Sequence, residues 1–354
     1  MNDLYLIGNG FDLAHGLKTS YNDFLLWYLK KSIMRITLNK HFEDELIIVD
    51  RPLNYPLGNH TKLSDLFLEC QSLKISIKYK HYFFEQIVKN FQEYKWVDVE
   101  YEYYLALLQI YKWNEKQEII RGDYFNQDII DLNSCFESIK KKLAEYLSEH
   151  VKMKNDCKNN NIDDILFEGA FNEKGKRSEI ERLFICFNYT PTMELYLGNT
   201  IFKNYLIYIH GELNDSNNPI IFGYGDEIDP HYEKIENLNN NEFLKNIKSF
   251  SYFKTDNYQK VMRFIEGKDR EFSVKILGHS CGLSDRILLN TIFEHPNCKH
   301  IKIFHYEKSP TENDYFEKTQ EISRHFKASS KGEMRMKIVP FDRYSAMPQN
   351  PKDN

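Results

Sequence analysis

No two cysteines in this sequence have the C-x-x-C spacing, although six are scattered along it, at Cys70, Cys135, Cys157, Cys186, Cys281 and Cys298. Their scatter argues against a zinc ribbon or a dense disulfide framework and reads as reduced thiols in a cytosolic protein. No apolar run approaches the roughly 20 residues of a membrane span. The short run Leu4–Ile7 has no basic stretch before it, so no signal peptide is expected. Net charge is −5, which gives no general nucleic-acid-binding surface. Glycine is scarce, 15 in 354 residues, so each glycine cluster is informative. The expectation is a soluble cytoplasmic protein that engages neither membrane nor, by any strong signal, nucleic acid.

What is present is core material. Hydrophobic residues make up 42% of the chain, with 24 Tyr and 25 Phe, and the length argues for two domains or one with a large insertion. Short apolar runs without clean alternation predict buried parallel strands at Leu4–Ile7, Leu183–Phe187, Leu206–Ile209, Ile220–Gly223, Val274–Leu277, Ile301–Tyr306 and Met336–Val339. Helical patterns follow several of them, at Thr192–Leu197, Ser284–Phe293 and Thr311–Phe326. This alternation predicts an α/β fold, a Rossmann-like, mostly parallel sheet. Between them lie helical periodicities such as "KHYFFEQIVKNFQEY" and "NSCFESIKKKLAEYLSEHV". The predicted organisation is a discontinuous nucleotide-binding core over residues 1–40 and 179–345, a mostly helical insertion over 41–178, and a flexible tail over 346–354.

Four strand ends carry candidate chemistry. Gly8-Asn9-Gly10-Phe11-Asp12 follows the first strand, where glycines allow a sharp turn and a close approach of amides to an anion. The third glycine of a dinucleotide fingerprint is missing, and no acidic strand end follows about 20 residues on, so the dehydrogenase reading fails. A tight strand-to-helix turn explains the same residues, with Thr19 or Ser20 capping the next helix and Asp23 as a capping-box partner of Ser20. Asn188 ends the second core strand ahead of Pro191; it suits a ligand at a sheet's C-terminal edge, or a helix cap. His210-Gly211 ends the third and offers an exposed imidazole base, or a structural histidine. Gly278-His279-Ser280-Cys281-Gly282 ends the fourth and leads to Asp285. It matches the G-x-S-x-G nucleophile elbow, with Asp314 and His325 in the order a triad needs but on a predicted surface helix. "EHPNCKH" lacks a fourth metal ligand, and no metal is expected.

The stretch "LIGNGFDLAHGLKTSYNDF" resembles the opening signature of the AbiH family of bacterial phage abortive-infection proteins, and "FNYT", "HGEL" and "GHSCGLSD" resemble its later blocks. The motif order is also distantly similar to sirtuin-like NAD-hydrolysing domains. The resemblance implies a Rossmann-like sheet with NAD, or a related nucleotide, as ligand or substrate. It implies that Asn188 holds the ribose or the attacking water and that His210 is the base. Gly8, Asn9, Gly10 and Asp12 would line the phosphate and ribose, and Gly278, Ser280 and Asp285 the adenosine half. Phe11, Gly211 and His279 complete the implied cofactor-binding set. Asn9 and the missing cysteine pairs depart from the sirtuin pattern, and the latter argues against deacetylation.

The chemistry fits such residues independently. Cleavage of the nicotinamide bond develops oxocarbenium character and needs a held ribose, a water and one base. The reading is therefore an anti-phage effector that hydrolyses NAD. Its alternatives are a non-catalytic nucleotide-binding sensor and, less favoured, an α/β-hydrolase or nuclease. A phage-derived trigger or partner protein, or a second copy of the chain, is expected to engage the helical insertion.

Overall fold

The computed structural model describes residues 1–36, 40–52, 57–94, 97–116, 123–151, 158–168, 180–197, 203–267 and 270–350. Cys157, part of the Asn-rich segment around it and residues 351–354 lie outside these. Two compact units emerge. The first comprises Met1–Lys18, Val151–Ile228 and Ile247–Asn354; the second, Thr19–His150 and Asp229–Asn246.

The first unit is built on five parallel strands, β1 (Asn2–Ile7), β2 (Arg182–Cys186), β3 (Asn204–Tyr208), β4 (Phe272–Leu277) and β5 (Cys298–Phe304). Their spatial order is β3-β2-β1-β4-β5, the doubly wound Rossmann-like order. Both faces are covered, so the strands read as largely apolar runs without clean alternation. Leu4 and Leu6 of β1 join one core with Ile185, Ile276 and Leu288. Tyr5 and Ile7 point the other way and join Phe11, Phe184, Met193 and Leu277.

Two expected strands are not strands. After His210, Gly211 takes a left-handed φ of 84° and folds the chain back, so that Ile221 N donates to the His210 carbonyl at 2.8 Å. Ile220–Gly223 is thus irregular backbone, with Ile221 and Phe222 buried by tertiary packing rather than by strand pairing. At Met336–Val339, a helix over Lys331–Lys337 runs into the segment, and only Ile338 bridges to β5. The expected helix over Thr311–Phe326 starts later, at Tyr315, because Glu307–Ser309 and Glu312–Asn313 form a small hairpin. The expected loose tail is held as far as residue 350: Met347 is buried in the second core, and Asn350 N donates to Ala14 O at 2.7 Å.

The second unit begins at Thr19, not at residue 41, and takes in Asp229–Asn246. Its α-helices among the described residues span Tyr21–Met34, Leu63–Ser72, Tyr82–Tyr94, Val99–Lys116, Asp123–His150 and the short Tyr232–Glu236. Ser20 caps the first of them through Asp23 N at 3.1 Å, and the Asp23 carboxylate accepts from the Ser20 hydroxyl in return. The insertion also carries three antiparallel strands, His41–Glu43, Ile47–Asp50 and Ser76–Tyr79. They are too short for their period to stand out among helices.

A close backbone contact joins the ends of β1 and β4. Gly278 has a φ of 71°, and a Cβ there would lie 2.1 Å from Phe11 N. Gly278→Ala is expected to cost clearly more than about 1 kcal/mol. Gly332→Ala, in open space on a helix, is expected to gain up to about 1 kcal/mol. Urea unfolding of both variants checks the contrast; equal effects would contradict it.

Candidate functional site

All four candidate strand ends lie at the C-terminal edge of the sheet, where β1 and β4 form the topological switch point. The register sets Ile7 beside Leu277, and therefore Gly8 beside Gly278. Gly8 N donates to Leu277 O at 3.1 Å and Gly10 N to Gly278 O at 2.9 Å. A Cβ on Gly8 would meet His279 Cα at 2.4 Å. The turn's glycines thus admit the neighbouring backbone, and these two amides are occupied within the protein rather than offered to an anion. Asn9 is exposed, and Phe11 is fully buried against His15 and Tyr196.

Asp12 sits one turn into the short helix Asn9–Ala14 and is 1% exposed. Its Oδ2 accepts from Thr190 Oγ1 at 2.5 Å, while Oδ1 has no hydrogen-bond partner. Asn188 belongs to this cluster: its Nδ2 donates to Gly8 O at 3.0 Å. It does not cap the following 3-10 helix, Pro191–Tyr196, whose N-cap is Thr190. Burial raises the Asp12 carboxyl to about 6, against the weaker opposing pull of the Thr190 hydrogen bond and of the nearby Thr192 and Asn188 side chains.

His210 has different neighbours. Its Nε2 lies 3.0 Å from Asp285 Oδ1, close but poorly aligned for a hydrogen bond. Lys248 Nζ donates to the same oxygen at 2.7 Å, and His279 Nε2 is 3.5 Å from Asp285 Oδ2. Cys281 N donates to His279 Nδ1 at 3.0 Å, which places that ring's proton on Nε2, toward Asp285. The four residues are at most 7% exposed, and the Phe187 ring packs on both imidazoles, at 5.1 and 4.0 Å between centroids. Burial by itself would raise the Asp285 carboxyl, but Lys248 first and His210 second outweigh it and hold it well below the usual range. Burial, reinforced by Lys248, drives His210 down to about 4 despite Asp285. His279 is lowered too, chiefly by burial. At neutral pH the centre therefore holds an ionised carboxylate, an ammonium and two neutral imidazoles.

Asn188 and His210, expected as a catalytic pair, thus have separate partners, Gly8 O for Asn188 and Asp285 for His210. Gly211 answers to its own backbone, since a Cβ there would lie 2.3 Å from Pro219 O. Ser280 is exposed, and the left-handed residues of its loop are Gly278 and Cys281, not Ser280. The triad order is not assembled: His325 Nε2 sits on Cys281 O at 2.8 Å, and Asp314 Oδ1 accepts from Tyr306 N at 2.6 Å. Thr190 and Lys248 were not singled out from the sequence. Thr190 stands next to a flagged motif, whereas Lys248 has no local signal at all.

A Rossmann-like α/β unit with a closed His-Asp-Lys centre at its switch edge is what the fold and side chains define. The chain belongs to the family described as Bacteriophage abortive infection AbiH, whose model matches residues 4–306, and with membership goes a role in phage abortive infection. Comparison with curated proteins finds no match. Among the described residues, no helix is long and apolar enough to cross a membrane, and no cluster of three or more His, Cys, Asp or Glu side chains could hold a metal ion.

The Asp12 cluster yields a pH-dependent test. A carboxyl raised on folding loses its stabilising share as pH climbs from the unfolded value near 3.8 through about 6. Two units correspond to roughly 3 kcal/mol. Asp12→Asn should gain stability over the wild type between pH 4 and pH 7 by that order, in denaturant titrations at both values. A pH-independent difference would contradict the assignment.

Proposed function

We propose that the Asp285 centre hydrolyses the nicotinamide–ribose bond of NAD as the effector step of abortive infection. The observation that carries this reading is a histidine that stays neutral at physiological pH, held against an ionised carboxylate at the switch edge of a Rossmann-like sheet. In the proposed reaction a water oxygen bonds to the ribose C1′. The C–N electron pair leaves with nicotinamide, neutralising its ring charge, and the water proton passes to His210. The Asp285 carboxylate stabilises the imidazolium so formed. Asp12 Oδ1, a buried acceptor without a donor, is suited to a ribose hydroxyl. Asn188, its amide nitrogen already on Gly8 O, offers its oxygen. The Gly8–Gly10 turn serves as a wall rather than as the phosphate cradle. Cytoplasmic action, distant kinship to sirtuin-like enzymes and engagement of a phage-derived trigger by the second unit belong to the same reading.

The near-complete burial of the centre favours a second reading, a nucleotide-responsive sensor without turnover. Incubating the pure protein with NAD, with and without extract of phage-infected cells, separates the two by chromatography of nicotinamide. Release is expected, reduced about 10²–10⁴-fold in His210→Gln, as for the loss of a general base. Because His210 is protonated only near pH 4 and Asp12 at about 6, the rate of Asp12→Asn, which removes the group titrating in this range, should be flat from about pH 5.5 to 8. A rise centred near 6.5 in that variant, or release unchanged in His210→Gln, would sink the role of His210; nucleotide binding without release selects the sensor.

A further inference from the structure

Residues Asp229–Asn246 leave the Rossmann-like unit, fold with the other unit and return. The base of this excursion grips three consecutive residues beside the centre. Lys248 Nζ donates to Asp285 Oδ1 at 2.7 Å, Arg286 Nη1 donates to Asp226 Oδ2 at 2.9 Å, and Ile287 N donates to Gly225 O at 3.1 Å. The two sides of the base are tied to each other: Tyr224 bridges Ile247, and Lys248 N donates to Tyr224 O at 2.9 Å.

The other end is anchored just as specifically inside the helical unit. Asn133 Nδ2 donates to both the carbonyl and the carboxylate of Glu242, each at 2.9 Å. Asn246 Nδ2 donates to Asn133 Oδ1 at 3.0 Å and reaches Tyr103 OH at 3.3 Å. Tyr103 OH in turn donates to Asn133 Oδ1 at 2.6 Å. Tyr103, Asn133 and Asn246 are all buried, so this network is costly to break. Asn246 is fixed in one unit and Lys248, two residues later, in the other. Two residues of chain span at most about 7 Å, which leaves little slack between the anchors.

We propose that Asp229–Asn246 is a tether through which the helical unit sets the hold of Lys248 on Asp285. A ligand or partner that shifts the Asn133–Asn246 anchor withdraws Lys248 and switches the centre. The consequence for turnover rests on the catalytic reading above; the mechanical coupling does not.

Amine labelling of the full-length protein, read by mass spectrometry, tests the coupling directly. Lys248, Lys275 and Lys337 are all buried in the first unit, and all should resist acetylation in the wild type. In Asn246→Ala, Lys248 should label about tenfold faster, as for a local opening, while Lys275 and Lys337 stay protected. Tyr103→Phe keeps the ring and removes only the hydroxyl, so it repeats the test with the packing intact and should act in the same direction. Lys248 protected as in the wild type in both variants would overturn the tether. Equal exposure of all three lysines would also overturn it, since that is unfolding and not local release. If Lys248 is released selectively but no form of the protein liberates nicotinamide, the catalytic reading fails and the tether stands.

Discussion

The two oxygens of Asp285 hold together side chains from three separate parts of the chain: His210 and Lys248 share one, and His279 faces the other. A buried carboxylate of this kind is tolerable only because an ammonium lies against it. Burial, reinforced by the charge of Lys248, keeps the proton off His210, while Lys248 and then His210 hold Asp285 ionised against its burial. Removing either partner alone would leave a charge unpaired where water does not reach.

The sheet makes this meeting possible. Parallel strands deliver His210 and His279 to the same edge, and the turn after β1 locks onto the end of β4 through Gly8, Gly10 and Gly278. Beside that lock lies Asp12, whose ionisation the fold opposes and whose Oδ1 finds no donor. Groups kept at such a cost tend to be functional, and here two of them, Asp12 and His210, follow strands at the switch edge of the sheet.

Much of this was legible in the sequence. Largely apolar runs marked all five core strands, two of them carrying a lysine, Lys275 and Lys302, because a sheet covered on both faces leaves little polar alternation. His210, His279 and Asp285 were visible as polar residues following such runs. Ile220–Gly223 was misread because burial by a folded-back loop and burial in a sheet look alike in composition. The glycines of Gly8-Asn9-Gly10 were seen, but not their reason, since the backbone they admit comes from some 270 positions away. Lys248 was invisible: it lies in "NIKSFSYFK", where a lysine reads as surface, and only the pairing of Tyr224 with Ile247 brings it to Asp285.

The most direct measurement is phage protection by cells carrying the double variant Lys248→Met/Asp285→Asn. Replacing both members of the pair leaves no lone buried charge, so the protein should still fold, with near-native circular dichroism. Folded protein that no longer limits phage replication is the result expected if the Asp285 centre carries the defence role. Folded protein that protects as well as the wild type would contradict the account.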